Sequence, residues 1–188
     1  MRSRLAACAA ILLVLSACGK KEEAKAPTPA AAPALTGFSH DAAVDAAGYF
    51  QPATNIIIGD YQLKQIALGA PSDFAEWEAG KREGVFGPIL LEFDDLRSPT
   101  TTNEMGAEVH TVRVRVLPTA YKVTKTDLEF VGQDPALGAV AFDGSFDPTA
   151  LTAAKENGSS GNTPVVLGAL TLGPNTITGQ KFTFWTGD

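Results

Sequence analysis

The sequence predicts an all-β or β-rich α+β domain, a twisted antiparallel β-sandwich or partly closed barrel with two or three short helices. Three observations lead there. Apolar residues recur with period two in several stretches, as they do in strands that bury one face. Glycine and proline punctuate the chain between those stretches, at Gly69-Ala70-Pro71, Gly84 to Pro88, Gly132 to Gly138 and Gly173-Pro174-Asn175. The sequence also lacks a long amphipathic helix, a glycine-rich phosphate loop, an alternating strand–helix series and any internal repeat.

Taken in order, His40 to Ala47 is alanine-rich and reads as a short helix. Ile56 to Leu68 reads as strand. Tyr61 and Leu63 share one parity and Ile66 and Leu68 the other, so Gln65 marks a bulge or a break. Ser72 is placed to cap a helix from Asp73 to Ala79, with Phe74 and Trp77 on one face and Gly80 ending it. Ile89 to Phe93 is the next strand. From Val109 to Val116, one parity holds His110, Val112, Val114 and Val116, and the other holds Val109, Thr111, Arg113 and Arg115, which describes a half-buried strand with a wet face. Tyr121 to Val131 behaves likewise, Leu128 and Phe130 alternating with Asp127 and Glu129, and Ala139 to Phe142 follows.

Asp147-Pro148 opens the clearest helix: an aspartate at the N-cap, proline at the first helical position, then Thr149 to Glu156 before Asn157-Gly158 stops it. Asn157 to Asn162 reads as an exposed, mobile loop. Val165 to Leu172 and Thr176 to Trp185 are the last strands. In the second of these Phe182 and Phe184 point inward by parity and Trp185 outward.

The first 36 residues are of another kind. Met1-Arg2-Ser3-Arg4 is basic, and the apolar run from Leu5 to Ala17 is shorter than the roughly 20 residues that cross a bilayer as a helix. A basic start, a short apolar stretch and small residues at its end describe an export signal. Its last four residues, Leu15-Ser16-Ala17-Cys18, resemble the lipobox of bacterial lipoproteins. The resemblance covers residues 1–19. It implies that residues 1–17 are removed and that Cys18 becomes the amino terminus, carrying diacylglycerol on sulfur and a further acyl chain on nitrogen. Gly19 stands where an aspartate retains Gram-negative lipoproteins in the inner membrane, which implies transfer to the outer membrane without fixing the face; a periplasm-facing anchor is the expectation, with cell-surface display or the inner membrane as alternatives. Residues 18–36 then form a tether in which Pro27, Pro29 and Pro33 favour an extended spacer, reaching up to roughly 50 Å. Residues 37–188 remain for one β-rich extracytoplasmic domain.

Composition narrows the chemistry. Cys8 leaves with the signal and Cys18 takes lipid, so the domain has no thiol for catalysis, redox relay or a disulfide. Without Arg2 and Arg4, 13 basic side chains face 21 acidic ones, a net charge of −8. That balance argues against nucleic acid as a partner, because phosphate binding needs clustered positive charge. There is no Gly-x-Ser-x-Gly, and His40 and His110, the two histidines, read as packing residues. Two histidines without thiols give no zinc pattern, and no cofactor is expected.

Glu92, Asp94 and Asp95 form the densest acidic group. They are weak candidates for a hard cation such as calcium, or for a glycosidase pair together with Asp143 and Asp147. Glu92 and Asp94 share parity and read more simply as a solvated strand face, with Asp95 starting a turn. Among the aromatic residues Phe74, Trp77, Phe86, Phe182, Phe184 and Trp185, the contacts expected for a ligand or partner are Trp77 and Trp185.

The function expected is a membrane-anchored envelope lipoprotein acting as a non-catalytic binding or assembly module, with an envelope protein, a glycan or a lipid as partner. The alternatives are an inhibitor protecting against lysozyme or a toxin, and a carrier of a hydrophobic ligand in a β cavity.

Overall fold

The computed structural model describes residues 35–82 and 86–187. Cys18 and most of the tether, on which the anchoring expectation rests, lie outside the described residues. Among the described residues no helix is long and apolar enough to cross a membrane.

The elements run β1 (Phe38–His40), β2 (Gly48–Pro52), β3 (Ile56–Ile58), β4 (Tyr61–Leu68), α1 (Pro71–Glu78), β5 (Ile89–Asp95), β6 (Thr100–Thr102), β7 (Glu108–His110), β8 (Arg113–Val116), β9 (Pro118–Val123), β10 (Asp127–Asp134), β11 (Gly138–Phe146), α2 (Pro148–Glu156), β12 (Val166–Leu172) and β13 (Asn175–Trp185). Apart from the β6–β7 ribbon, all strands belong to one 11-stranded sheet, ordered β1-β9-β10-β11-β12-β13-β2-β4-β5-β8 with β3 beside β4. Among the described residues only β1 and β9 pair in parallel. The sheet curls into a half-barrel, a β-rich fold of the class the sequence predicts.

One stretch of chain joins β8, at one end of that order, to β9, beside the edge strand β1 at the other. β8 pairs with β5, and after Leu117 the chain continues as β9, which pairs with β10. The run from Arg113 to Val123 therefore brings the two ends of the sheet together, and one apolar core fills the space inside. Phe50, Phe93, Phe130, Phe142, Phe182 and Phe184 are among its fully buried side chains.

Three inward-facing glycines allow the strands to coil this tightly. Gly144 and Gly168 pair across β11 and β12, and the Phe142 ring lies over both, 2.6 and 2.5 Å from where each Cβ would stand. Gly132 faces the chain between β8 and β9, where a Cβ would stand 2.7 Å from the Leu117 carbonyl oxygen.

Several boundaries follow the sequence closely. Asp147 caps α2, its Oδ1 accepting from Thr149 N and Ala150 N at 3.0 and 2.9 Å. β4 carries its bulge between Leu63 and Gln65. Phe182 and Phe184 point into the core and Trp185 is exposed.

Others differ for identifiable reasons. Tyr121 to Val131 is a hairpin, with the turn at Thr124 to Thr126. Thr124 Oγ1 accepts from Thr126 N and Asp127 N, so a threonine side chain turns the chain where no glycine or proline marks it. Val109 to Val116 is also two strands. Thr111 N donates to Pro99 O in the β6–β7 ribbon, whereas the Val112 carbonyl accepts from Asp95 N of the main sheet.

The helix α1 starts at Pro71, not at Asp73. The N-cap is Ala70, and the Asp73 carboxylate reaches back to accept from Ala70 N at 2.8 Å. The helix expected from His40 to Ala47 does not form. His40 ends β1, donates from Nε2 to Val44 O and stacks on Phe74 with ring centroids 4.0 Å apart. The loop from Asn157 to Asn162 is fastened to β13: Phe184 N donates to Ser160 Oγ, Ser160 N to Phe184 O, and Thr186 N to Gly158 O.

Candidate functional site

Strand parity sends Phe50, Ile66, Leu91, Phe93 and Val116 into the core, leaving Tyr49, Gln65, Glu92, Asp94, Arg113 and Arg115 on the outer face of β2, β4, β5 and β8. On that face Glu92 stands opposite Arg115 and Asp94 opposite Arg113, in cross-strand register. Arg113 Nη1 donates to Glu92 Oε1 at 2.9 Å and Arg115 Nε to Glu92 Oε2 at 3.2 Å. Arg113 Nε is 3.3 Å from Asp94 Oδ1, within ion-pair distance but off the hydrogen-bond axis, and Lys64 Nζ is 3.6 Å from Asp94 Oδ2.

The long arginine side chains lie across these acids. Glu92 and Asp94 keep only 4% and 3% of their surface exposed, although they face away from the core. The solvated acidic face expected from parity is therefore a covered ion network. Asp95 takes the opposite parity and belongs to a separate clamp. Arg97 donates to both its oxygens, at 2.9 and 2.8 Å, and holds its carboxyl down at about 2. Among the described residues no three carboxylates or imidazoles come together as cation ligands.

Beside the network the surface sinks into a cavity of about 950 Å³. Its floor includes Ala67, Leu90, Gln65 and Glu92, and Tyr49, Trp77 and Phe86 stand around it. A second hollow of about 300 Å³, touching Gln51, Asn55, Gln62, Lys64 and Arg113, shares Gln65 and Glu92 with the first. Both follow β4, from Gly69 to Gln62, a length of roughly 20 Å at the strand rise. The two hollows adjoin at Gln65 and Glu92, and this pair of hollows along β4 is the trough.

The two tryptophans have different places in it. Trp77 packs into the core edge-on to Phe38, with centroids 6.3 Å apart, yet it also lines the cavity. Its Nε1 is buried without a hydrogen-bond partner among the described residues. Trp185 stays outside, tilted against Tyr49 with ring centroids 5.6 Å apart, and its backbone bridges to Ser159. Phe86 is the most exposed wall, at 68%, with the Arg115 guanidinium 5.8 Å from its ring. Phe74, Phe182 and Phe184, also named as aromatic candidates, are core residues.

Tyr49, Gln65, Arg113 and Arg115 were not singled out from the sequence as site residues. A signal for the arginines was present in two opposite-sign doublets at spacing two, Glu92-x-Asp94 and Arg113-x-Arg115, each on a strand. Comparison of the chain with protein-family models, curated proteins and solved structures finds no match.

Proposed function

We propose that the protein is a lipid-tethered, non-catalytic binding module of the cell envelope, and that the trough along β4 is where it grips its partner. The observation that carries this reading is the combination of an open, mixed polar and aromatic trough outside the half-barrel with an interior packed by side chains. The packed interior weighs against carriage of a lipid inside the sheet. Both Glu92 oxygens are taken by arginine N–H groups, an arrangement suited to holding a rigid polar floor rather than to moving a proton. The tether and anchor come from the resemblance of residues 1–19 to bacterial lipoproteins.

The test is a photo-crosslinking amino acid placed at Phe86, in the trough, and at Leu167, exposed on the outer face of β12. In living cells the Phe86 position is expected to give a discrete adduct that the Leu167 position does not. No adduct at Phe86, or the same adducts at both positions, would overturn the reading.

A further inference from the structure

Resting on the trough as the binding surface, we propose that its ligand is an uncharged, linear glycan. Shape is the first argument. A trough about 20 Å long and open to solvent accepts a segment of a chain molecule better than a compact metabolite.

The second argument is the chemistry of the walls. Gln51, Asn55, Gln62 and Gln65 border the trough, and their side-chain amides make no hydrogen bond among the described residues. Each free amide offers donors and an acceptor together, as a sugar hydroxyl does, so the two pair in either sense. Trp77 also lines the cavity, and its indole N–H is buried without a partner among the described residues. Tyr49 and Phe86 supply flat apolar surfaces for the C–H faces of pyranose rings.

Charge is the third. Along the trough the carboxylates of Asp73, Glu76, Glu92 and Asp94 are matched by the cations of Lys64, Lys81, Arg113 and Arg115, and most are already paired. A charged polymer gains little from such a balanced surface. An acyl chain would cover the Glu92–arginine pairs without satisfying them. A peptide adding as a strand needs a free sheet edge, whereas β2, β4 and β5 each have a paired neighbour on both sides.

The experiment titrates the full-length protein, purified in detergent, with long and dimeric oligomers of N-acetylglucosamine and of glucose. Heat of binding is followed together with tryptophan emission. Trp77 and Trp185 are the two tryptophans of the chain, one in the trough lining and one tilted against Tyr49 beside it. The expected result is saturable binding of at least one long oligomer, tighter than its dimer, with a shift in emission. Phe86→Ala and Gln65→Ala should each weaken it about tenfold, and Leu167→Ala should leave it unchanged. Phe86 is exposed, so its loss does not open the core.

Three other outcomes would overturn the inference. If no oligomer binds while the Phe86 crosslinker captures a protein, the trough stands as the binding surface and the glycan assignment falls. If no oligomer binds and no adduct forms, both fall. If an oligomer binds with equal affinity to wild type, Phe86→Ala and Gln65→Ala, the glycan site lies elsewhere and the trough assignment falls.

Discussion

Arg113 touches Glu92 and Asp94 at once, and the two acids are nearly sealed beneath it. A buried carboxylate deprived of its partner is costly, more so than the intact pair is worth. Arg113→Ala is therefore expected to destabilise the fold by about 2–3 kcal/mol, moderated by the cations of Arg115 and Lys64 that remain. Adding Glu92→Gln and Asp94→Asn should recover most of that loss, because the stranded charges go with the arginine. Urea unfolding of the single and triple variants measures both. The same residues explain how much of the site could be read in advance. Parity put Glu92 and Asp94 on one outward face, and this is where they are. Their burial was not legible, because it depends on the register that sets β8 beside β5, a pairing 21 residues apart for Glu92 and Arg113. Trp77 was legible as a residue of interest through its size and its place on a helix face. Gln65 and Tyr49 carry no local mark, and they matter only once β2, β4 and β5 lie side by side.

At the level of elements, periodicity located the longer strands, left β1, β2 and β6 unread, and ran β3 with β4, β7 with β8 and β9 with β10. Asp147-Pro148 announced α2 because a cap and its proline are local and adjacent. The β9–β10 turn went unread because Thr124 does the work usually given to glycine, its hydroxyl accepting two backbone N–H groups. The coiling of β11 and β12 has an equally small origin. Gly144 and Gly168 leave room for the Phe142 ring to lie flat across two strands. A methyl group at Gly168 would press on that ring and on the Asp143 carbonyl oxygen. Gly168→Ala should therefore cost about 2 kcal/mol and lower the thermal midpoint by roughly 5 °C, measured by calorimetry. An unchanged midpoint would mean that the ring has space to move.

For the whole molecule, the decisive feature is the run from Arg113 to Val123, which supplies the last strand at one end of the sheet and the strand next to the edge at the other. Its bend is accommodated by Gly132, whose missing side chain leaves room for the Leu117 carbonyl oxygen. The Leu117 oxygen stands 2.7 Å from that Cβ position and the Asp143 oxygen 2.9 Å from the one at Gly168, so Gly132→Ala should be the more damaging glycine replacement, at about 3 kcal/mol. Hydrogen exchange should show β8 and β10 losing protection together while β12 and β13 keep theirs. The path of the chain into this barrel has a mechanical meaning as well. Phe38, at the start of β1, rests against Trp77, and the Arg82 guanidinium lies 4.4 Å over the Phe38 ring. The amino-terminal chain thus enters the fold beside the aromatic wall of the trough. On the lipoprotein reading, the leash is fastened next to the grip, as a rope is tied close to the hook. Tension between membrane and ligand would then enter through the β1–β9 pairing and the Phe38–Trp77 contact, close to where the ligand pulls.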